Sequence, residues 1–346
     1  YGLLTDWCRS NGVRDLALAH RLEDQAETFV MRLGRGSGPD GLAGMSAVVE
    51  MQGVRVIRPL LGVSRGALAQ TLKDCGQDWL DDPSNRNHAF ERIRIRDHLP
   101  LLAGAGYPPE QIAGLAAAFG HLRTLAERET ATLLADVCHV HPAGFAEIDT
   151  HSLGTVPRLF STRALARVAA CVGGAVYPAE RQKLADLYDW VCAGDIGKSL
   201  CLARCRFQKG KGCLIVSREN RGLPKQQLDI TQDEISWDGR FRLYFNGSLE
   251  NEDMGGDFFV GPLGRDGWAE IVAVEPALRD IGIGYPARLV LPAIRDALGV
   301  REVPHLSYQR SGTQTRQIVS KVDFSPRNKL FARGFCLAPK VSCTIS

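Results

Sequence analysis

His20, Asp24 and Glu27 are the residues of this 346-residue chain whose types and spacing could do chemistry together. At i, i+4 and i+7 of a helix they share one face. An imidazole can take or give a proton near neutral pH, and two carboxylates can hold a cation or accept a proton. A second group is cationic: Arg86, Arg92, Arg94 and Arg96, opposed only by Glu91 and Asp97. Guanidiniums stay charged and present a fork that matches phosphate oxygens, so these four beside the Asp82-Pro83-Ser84-Asn85 turn fit an anion site. Each group also has an ordinary reading, as a solvated acidic helix face and as a helix salt-bridged to Glu91 and Asp97.

The elements that must position these residues can be read from periodicity. Leu16-Ala17-Leu18-Ala19 suits a short buried strand, and the period changes to that of a helix at His20. Leu22, Ala26, Phe29, Val30 and Leu33 form an apolar stripe opposite the polar face, and Gly34-Arg35-Gly36-Ser37-Gly38 ends the helix. The polar triad therefore sits where a strand gives way to a helix, which is where open α/β sheets place their ligands. Val54 to Arg58 alternates like a strand stopped by Pro59; Ser64 caps a helix over 65–75, and Gly76 closes it. Arg86 to Leu102 reads as a helix with Ile95, Leu99 and Leu102 inward.

Composition sets the class. Hydrophobic residues make up 45% and charged residues 23% of the chain, as in an ordinary soluble protein, and no apolar run reaches the length of a membrane span. A net charge of +3 is too small to argue for nucleic acid, so that argument must rest on local clusters. Ten scattered cysteines contain no CxxC pair and read as reduced thiols; Cys201, Cys205 and Cys213 match no common zinc spacing. The chain opens at Tyr1 in what looks like the middle of an amphipathic helix bearing Leu3, Leu4, Trp7 and Cys8, so it is expected to lack its true N-terminus.

Beyond residue 104 the pattern predicts long helices over 109–140, 158–171 and 178–192. Short strands follow over 199–207 and 213–217, joined through the basic turn Lys209-Gly210-Lys211-Gly212. Strands are then expected at 241–245, 255–260 and 270–274, and a helix at 288–298. Tyr308 to Lys329 is basic and polar; it could follow a nucleic-acid backbone or form a terminal strand and tail.

Taken together the motifs are more specific. His20-x3-Asp24-Gln25-Ala26-Glu27-Thr28, Met31-Arg32-Leu33, Arg35-Gly36-Ser37-Gly38, Arg58-Pro59-Leu60, Asp82-Pro83-Ser84-Asn85 and Arg92-x-Arg94-Ile95-Arg96 follow an order and spacing that resemble the tRNA(Ile)-lysidine synthetases. The resemblance is dense over residues 1–102 and looser up to about Glu219. It implies a PP-loop ATP pyrophosphatase with a doubly wound, parallel-sheet α/β domain like the adenine-nucleotide α-hydrolases. Residues 1–104 would be the C-terminal part of that catalytic domain. Residues 105–222 would be a helical tRNA-binding module ending in short strands, and 223–346 a mixed α/β region, also tRNA-binding.

The activity so implied is ATP-dependent adenylation of the wobble cytidine of a CAU-anticodon tRNA(Ile), followed by joining of L-lysine. Mg²⁺ would accompany ATP, the setting would be the cytoplasm with no membrane, and a homodimer is left open. Asp24 and Glu27 could hold the lysine ammonium, and His20 or a carboxylate could take its proton. Arg32, Arg35, Arg92, Arg94 and Arg96 would meet ATP phosphates or the tRNA backbone, with Asn85 fixing the turn beside them. The family's Ser-Gly-Gly-x-Asp-Ser loop is absent, so the chain reads as an N-terminally truncated copy expected to bind ATP poorly and catalyse little alone. A non-catalytic tRNA-binding remnant and a PP-loop tRNA thiolase are the competing readings; the lack of CxxC speaks against the second.

Overall fold

Punctuation by glycine sets out the first elements. α1 (Gly2–Ser10) stops at Asn11-Gly12, where Gly12 takes φ +68°. β1 (Asp15–Ala17), α2 (Leu22–Gly34), the short α3 (Pro39–Leu42), β2 (Val48–Met51), β3 (Val54–Ile57) and α4 (Arg65–Asp74) follow. Next come α5 (Glu91–Gly104) and α6 (Pro109–Val137). The computed structural model describes all residues except 52, 81–88, 90, 176–178, 194–196, 230–231, 247–257, 312–316, 332–333 and 339–346. The chain forms two compact units, one of residues 1–129 with 333–346 and one of residues 130–332.

In the first unit β1 pairs with β3 in parallel, and β2 joins β3 antiparallel, so among the described strands the expected parallel sheet is mixed. β1 is less buried than its alternation predicts, because it lies at the sheet edge with Asp15 and Ala17 exposed. α2 buries Ala26 and Phe29 against Leu42, Leu99, Ile112 and Ala116. Its stripe stops short of Leu33, which is exposed. α1 turns Thr5 and Cys8 inward and leaves Leu3, Leu4 and Trp7 exposed, so its buried face is not the apolar one expected. The inward residues of α5 are Ile93 and Leu99, with Arg92 and Arg96 beside them; Ile95 is only half-buried. That rotation brings the two guanidiniums to α2. Residues 334–337 close the unit: Phe335 N–H donates to Glu127 Oε2 at 2.6 Å and Ala47 N–H to the Cys336 carbonyl at 2.7 Å. A Cβ at Gly120 would meet Leu337 at 2.6 Å.

The second unit starts within the last turns of α6. β4 (Cys138–His141), β5 (Phe145–Asp149), α7 (Thr150–Thr155), α8 (Arg158–Gly173), α9 (Arg181–Cys192), β6 (Ser199–Leu202), β7 (Cys205–Lys209) and β8 (Cys213–Arg218) follow in order. The strands make an antiparallel sheet in the order β4-β5-β8-β7-β6, with α8 and α9 packed over Phe207, Leu214 and Val216. The strand expected over 199–207 is thus a hairpin, turned by Ala203 and Arg204 at φ +50° and +64°. Both central residues with positive φ are what a tight hairpin requires.

β9 (Gln226–Gln227), β10 (Glu234–Trp237), β11 (Phe241–Phe245), β12 (Phe259–Pro262), α10 (Gly264–Val274), α11 (Tyr285–Arg288), β13 (Pro292–Asp296), β14 (Gly299–Val303), β15 (Tyr308–Gln309) and β16 (Val319–Phe324) complete the chain. Sheets β10-β11-β16 and β15-β14-β13-β12-β9 carry this half. Two expectations reverse here. Residues 270–274 end a helix, because Ile271 and Val272 pack into the core from α10. Residues 292–296 form a strand, because Ala293 and Ile294 are buried between β12 and β14.

Between β10 and β11, Asp238 sits at φ +51° and accepts from three arginines: Arg204 at 2.8 Å, Arg218 at 3.2 Å and Arg240 at 2.7 Å. Arg218 and Arg240 are buried, and burial pulls the Arg240 guanidinium down to about 10 despite Asp238. Among the described residues no helix is long and apolar enough to cross a membrane.

Candidate active site

α2 places its carboxylates by its own start. Asp24 is the third helical residue, and its Oδ2 accepts the Arg21 N–H at 2.9 Å, satisfying a backbone donor that the first helical turn leaves over. Its Oδ1 accepts from Arg92 Nη2 at 2.8 Å. One turn on, Glu27 is fully buried. Its Oε2 accepts Arg92 Nε and its Oε1 accepts Arg96 Nε, both at 2.6 Å. Spacings of i, i+3 on α2 and i, i+4 on α5 thus mesh as two carboxylates against two guanidiniums. A buried carboxylate without partners would cost several kcal/mol, roughly. Here Glu27 has two, and its hydrogen bond raises Arg96 above the ordinary arginine value. The ordinary readings made from the sequence do not describe this pair of elements: the acidic face is not solvated, and Arg92 and Arg96 reach the carboxylates of α2.

His20 lies one residue before the helix cap. Burial holds its imidazole below the ordinary histidine value; Asp24 opposes that, and Arg58 and Arg92 add to it. The ring is therefore neutral at pH 7 and free to accept a proton. Its Nδ1 is buried with no hydrogen-bond partner.

The remaining candidates divide. Arg32 Nη1 donates to the carbonyls of Gly41 and Gly44 at 2.6 and 2.8 Å, so it holds the turn that follows α2. Arg35 pairs with Glu91 at the surface, and Arg94 is exposed, donating to the Ala89 carbonyl at 3.3 Å. Asn85, with Arg86, lies outside the described residues. The structure thus brings together His20, Asp24, Glu27, Arg92 and Arg96, and leaves Arg32, Arg35 and Arg94 on other duties.

Gln25 had no assigned role. It is buried and clamps Met45 from both sides, donating to its carbonyl at 2.9 Å and accepting its N–H at 2.7 Å. Gly44 at φ +69° is required there, since a Cβ would meet Gln25 Oε1 at 2.5 Å. The position of Gln25 inside the Asp24 to Thr28 motif was the available signal.

Residues 1–101, which contain this site, match the PP-loop domain family. The tRNA(Ile)-lysidine synthase of Ruegeria pomeroyi is 30% identical over 305 residues, covering 85% of this chain and 66% of the relative. That of Wolbachia pipientis wMel is 25% identical over 319 residues, 92% of this chain and 72% of the relative. That of Methylobacterium nodulans is 36% identical over 189 residues, 54% of this chain and 56% of the relative. The chain thus spans from 56% to 72% of the length of these curated relatives. The fold is mixed α/β, and its first unit carries a domain of the adenine-nucleotide α-hydrolase type. With the PP-loop match lying on the segment that holds the His20, Asp24, Glu27, Arg92 and Arg96 cluster, and with similarity continuing along most of the chain, the protein belongs to the tRNA(Ile)-lysidine synthase family.

Proposed function

We propose that this chain serves ATP-dependent lysidine synthesis on the wobble cytidine of a CAU-anticodon tRNA(Ile). It would act as a ligase forming a carbon–nitrogen bond, in the cytoplasm. The cytosine O2 attacks the α-phosphate of ATP and pyrophosphate leaves. The lysine ε-amine then attacks C2, AMP leaves, and the amine proton passes to a base. The observation that carries this reading is a neutral imidazole beside a carboxylate and arginine quartet inside the PP-loop segment.

His20 is the base of choice, being neutral and half-buried. Asp24, whose side chain keeps 14% of its exposure, is left to meet the incoming ammonium. Glu27, with none, fixes the forks of Arg92 and Arg96, whose outer edges face the phosphates. Magnesium would enter with ATP as its counter-ion. Among the described residues no group of three His, Cys, Asp or Glu side chains could hold a metal ion, so no step is assigned to it. Residues 105–222 and 223–346 would supply tRNA-binding modules, and a homodimer fits the same reading.

The test is direct. Purified chain is incubated with ATP, labelled lysine and a CAU-anticodon tRNA(Ile), and nucleosides are analysed by mass spectrometry. Lysidine that disappears in Asp24→Asn and His20→Ala supports the reading. Tight tRNA binding with no lysidine under any condition would replace it with the non-catalytic remnant.

A further inference from the structure

The Arg58-Pro59-Leu60 motif has no role in the site described so far. Arg58 immediately follows β3, and His20 lies just past β1, the strand that pairs with β3 in parallel. Leu18 N–H donates to the Ile57 carbonyl at 2.9 Å, so the two strands run out side by side. Both residues therefore stand at the carboxyl ends of parallel neighbours, the edge at which such sheets bind ligands.

Arg58 differs from the other arginines of the unit in its company. It is 8% exposed, yet among the described residues it pairs with no carboxylate. Its backbone N–H donates to the Ala47 carbonyl at 2.8 Å and its Nη1 to the Ser46 carbonyl at 2.7 Å. Ser46 and Ala47 are in turn held by Cys336, so the guanidinium is fixed at one nitrogen. Its Nε is buried with no partner, as is His20 Nδ1. A buried cation with an unspent donor is costly unless an anion meets it. Arg92 and Arg96 have their carboxylates and Arg32 its carbonyls; Arg58 has an opening.

We propose that Arg58 Nε and His20 Nδ1–H together receive an oxyanion of the reaction, a phosphate-type group carried either by the nucleotide or by released pyrophosphate. This rests on the lysidine-synthesis reading and adds to it a positively charged residue from outside the α2 and α5 pair. It also fixes the imidazole tautomer: with Nδ1 donating to the anion, Nε2 is the nitrogen left to take the proton from the lysine amine. Arg58 thereby positions His20 as well as the phosphate.

The experiment uses the full chain and two probes, inorganic pyrophosphate and AMP, titrated separately by calorimetry against the unmodified protein, Arg58→Met and Arg58→Lys. In parallel, the His20 ring is followed by NMR across pH with and without each probe. The expected result is binding of at least one probe that weakens about tenfold in Arg58→Met and about threefold or more in Arg58→Lys, which keeps the charge but loses the Nε donor. Bound probe should also raise the His20 titration midpoint in the unmodified protein and not in the variants. Dependence with pyrophosphate alone assigns the leaving group, and dependence with AMP assigns the nucleotide phosphate. Equal affinities in all three proteins, or no probe binding at all, overturns the proposal. Should Arg58→Met fail to fold, Arg58→Lys decides on the same criteria. Lysidine formed by Arg58→Met at the unmodified rate removes this inference and leaves the lysidine-synthesis reading standing. Arg58-dependent anion binding in a chain that makes no lysidine does the reverse.

Discussion

Each unit builds a carboxylate and arginine cluster, and the two are built to opposite ends. In the first, two carboxylates meet two guanidiniums whose side chains keep 34% and 30% of their exposure. In the second, Asp238 alone meets three arginines, and Arg218, Arg240 and Asp238 are at most 1% exposed. Two nitrogens of that second cluster, Arg218 Nη2 and Arg240 Nη1, are buried without partners. The charge-balanced cluster is open to solvent through both of its arginines, whereas the unbalanced one buries its carboxylate and two arginines and reaches the surface only through Arg204, which keeps 37% of its exposure. The lesson is that burial by itself does not mark a reactive site. The more buried cluster joins the Ala203 and Arg204 hairpin, β8 and the β10–β11 turn; the open one presents guanidinium edges that a phosphate could still reach.

The strongest way to break that contrast is Asp238→Ala. Removing the carboxylate that Arg218 and Arg240 share among the described residues leaves two fully buried guanidiniums uncompensated, and chemical denaturation should show a loss of about 3–5 kcal/mol. A loss below about 1 kcal/mol would mean that water already screens the cluster.

Glu27→Ala should cost less, about 2–3 kcal/mol, since Arg92 keeps Asp24 and both arginines can turn to solvent. Its effect on lysidine formation should be larger than that stability change accounts for. Glu27→Ala and Arg96→Ala combined should show a coupling of about 1–3 kcal/mol in a double-mutant cycle; additive effects would argue that the pair is incidental.

A pH scan gives the next effect. Burial pulls His305, which packs against Phe241, down to about 4. Between pH 6.5 and 4 the unfolded chain binds a proton that the native one refuses, so stability of the second unit should fall over that window. The loss is on the order of 2–3 kcal/mol, complete near pH 4 and absent above about 7. His305→Gln should flatten the slope. His20 works in the same direction through activity: its lowered value keeps the base unprotonated, so the acid limb of lysidine formation should lie below pH 6.5. The smallest effect is Arg35→Ala. This surface pair with Glu91 should be worth under about 0.5 kcal/mol in thermal melts.

How much of this the sequence disclosed depended on whether the relevant signal was local. α2, α4 with its Ser64 cap accepting from Ala67 at 3.2 Å, and the Gly76 stop were all legible, because helix period and capping are short-range. So was the placing of Asp24 and Glu27 on one helix face, whereas His20, expected to open that helix, lies outside it before the Arg21 cap. The partners of Glu27 were not, because they lie 65 and 69 residues away on α5 and no local pattern ties them to α2. β13 and the end of α10 exchanged identities because short, partly apolar runs suit either state until the neighbouring strands or core residues choose. The hairpin at Ala203 and Arg204 was missed because neither residue is glycine or asparagine. Arg58 looked like the end of a strand, and that it meets no carboxylate among the described residues is visible only in three dimensions.

The return of residues 334–337 to Ser46, Ala47, Glu127 and Gly120 carries a topological consequence. The first unit is written in two separated pieces of chain, and the stretch 130–332 is threaded between them as an insert. If the insert unfolds, it becomes a loop that the first unit must close, at an entropic cost of roughly 5 kcal/mol. Damage at Asp238 should then be felt by the hydrogen bond at Phe335 as well. A chain cut before Gly334 would keep every residue of the candidate active site while losing the clasp on Ser46 and Ala47, the two residues that hold Arg58.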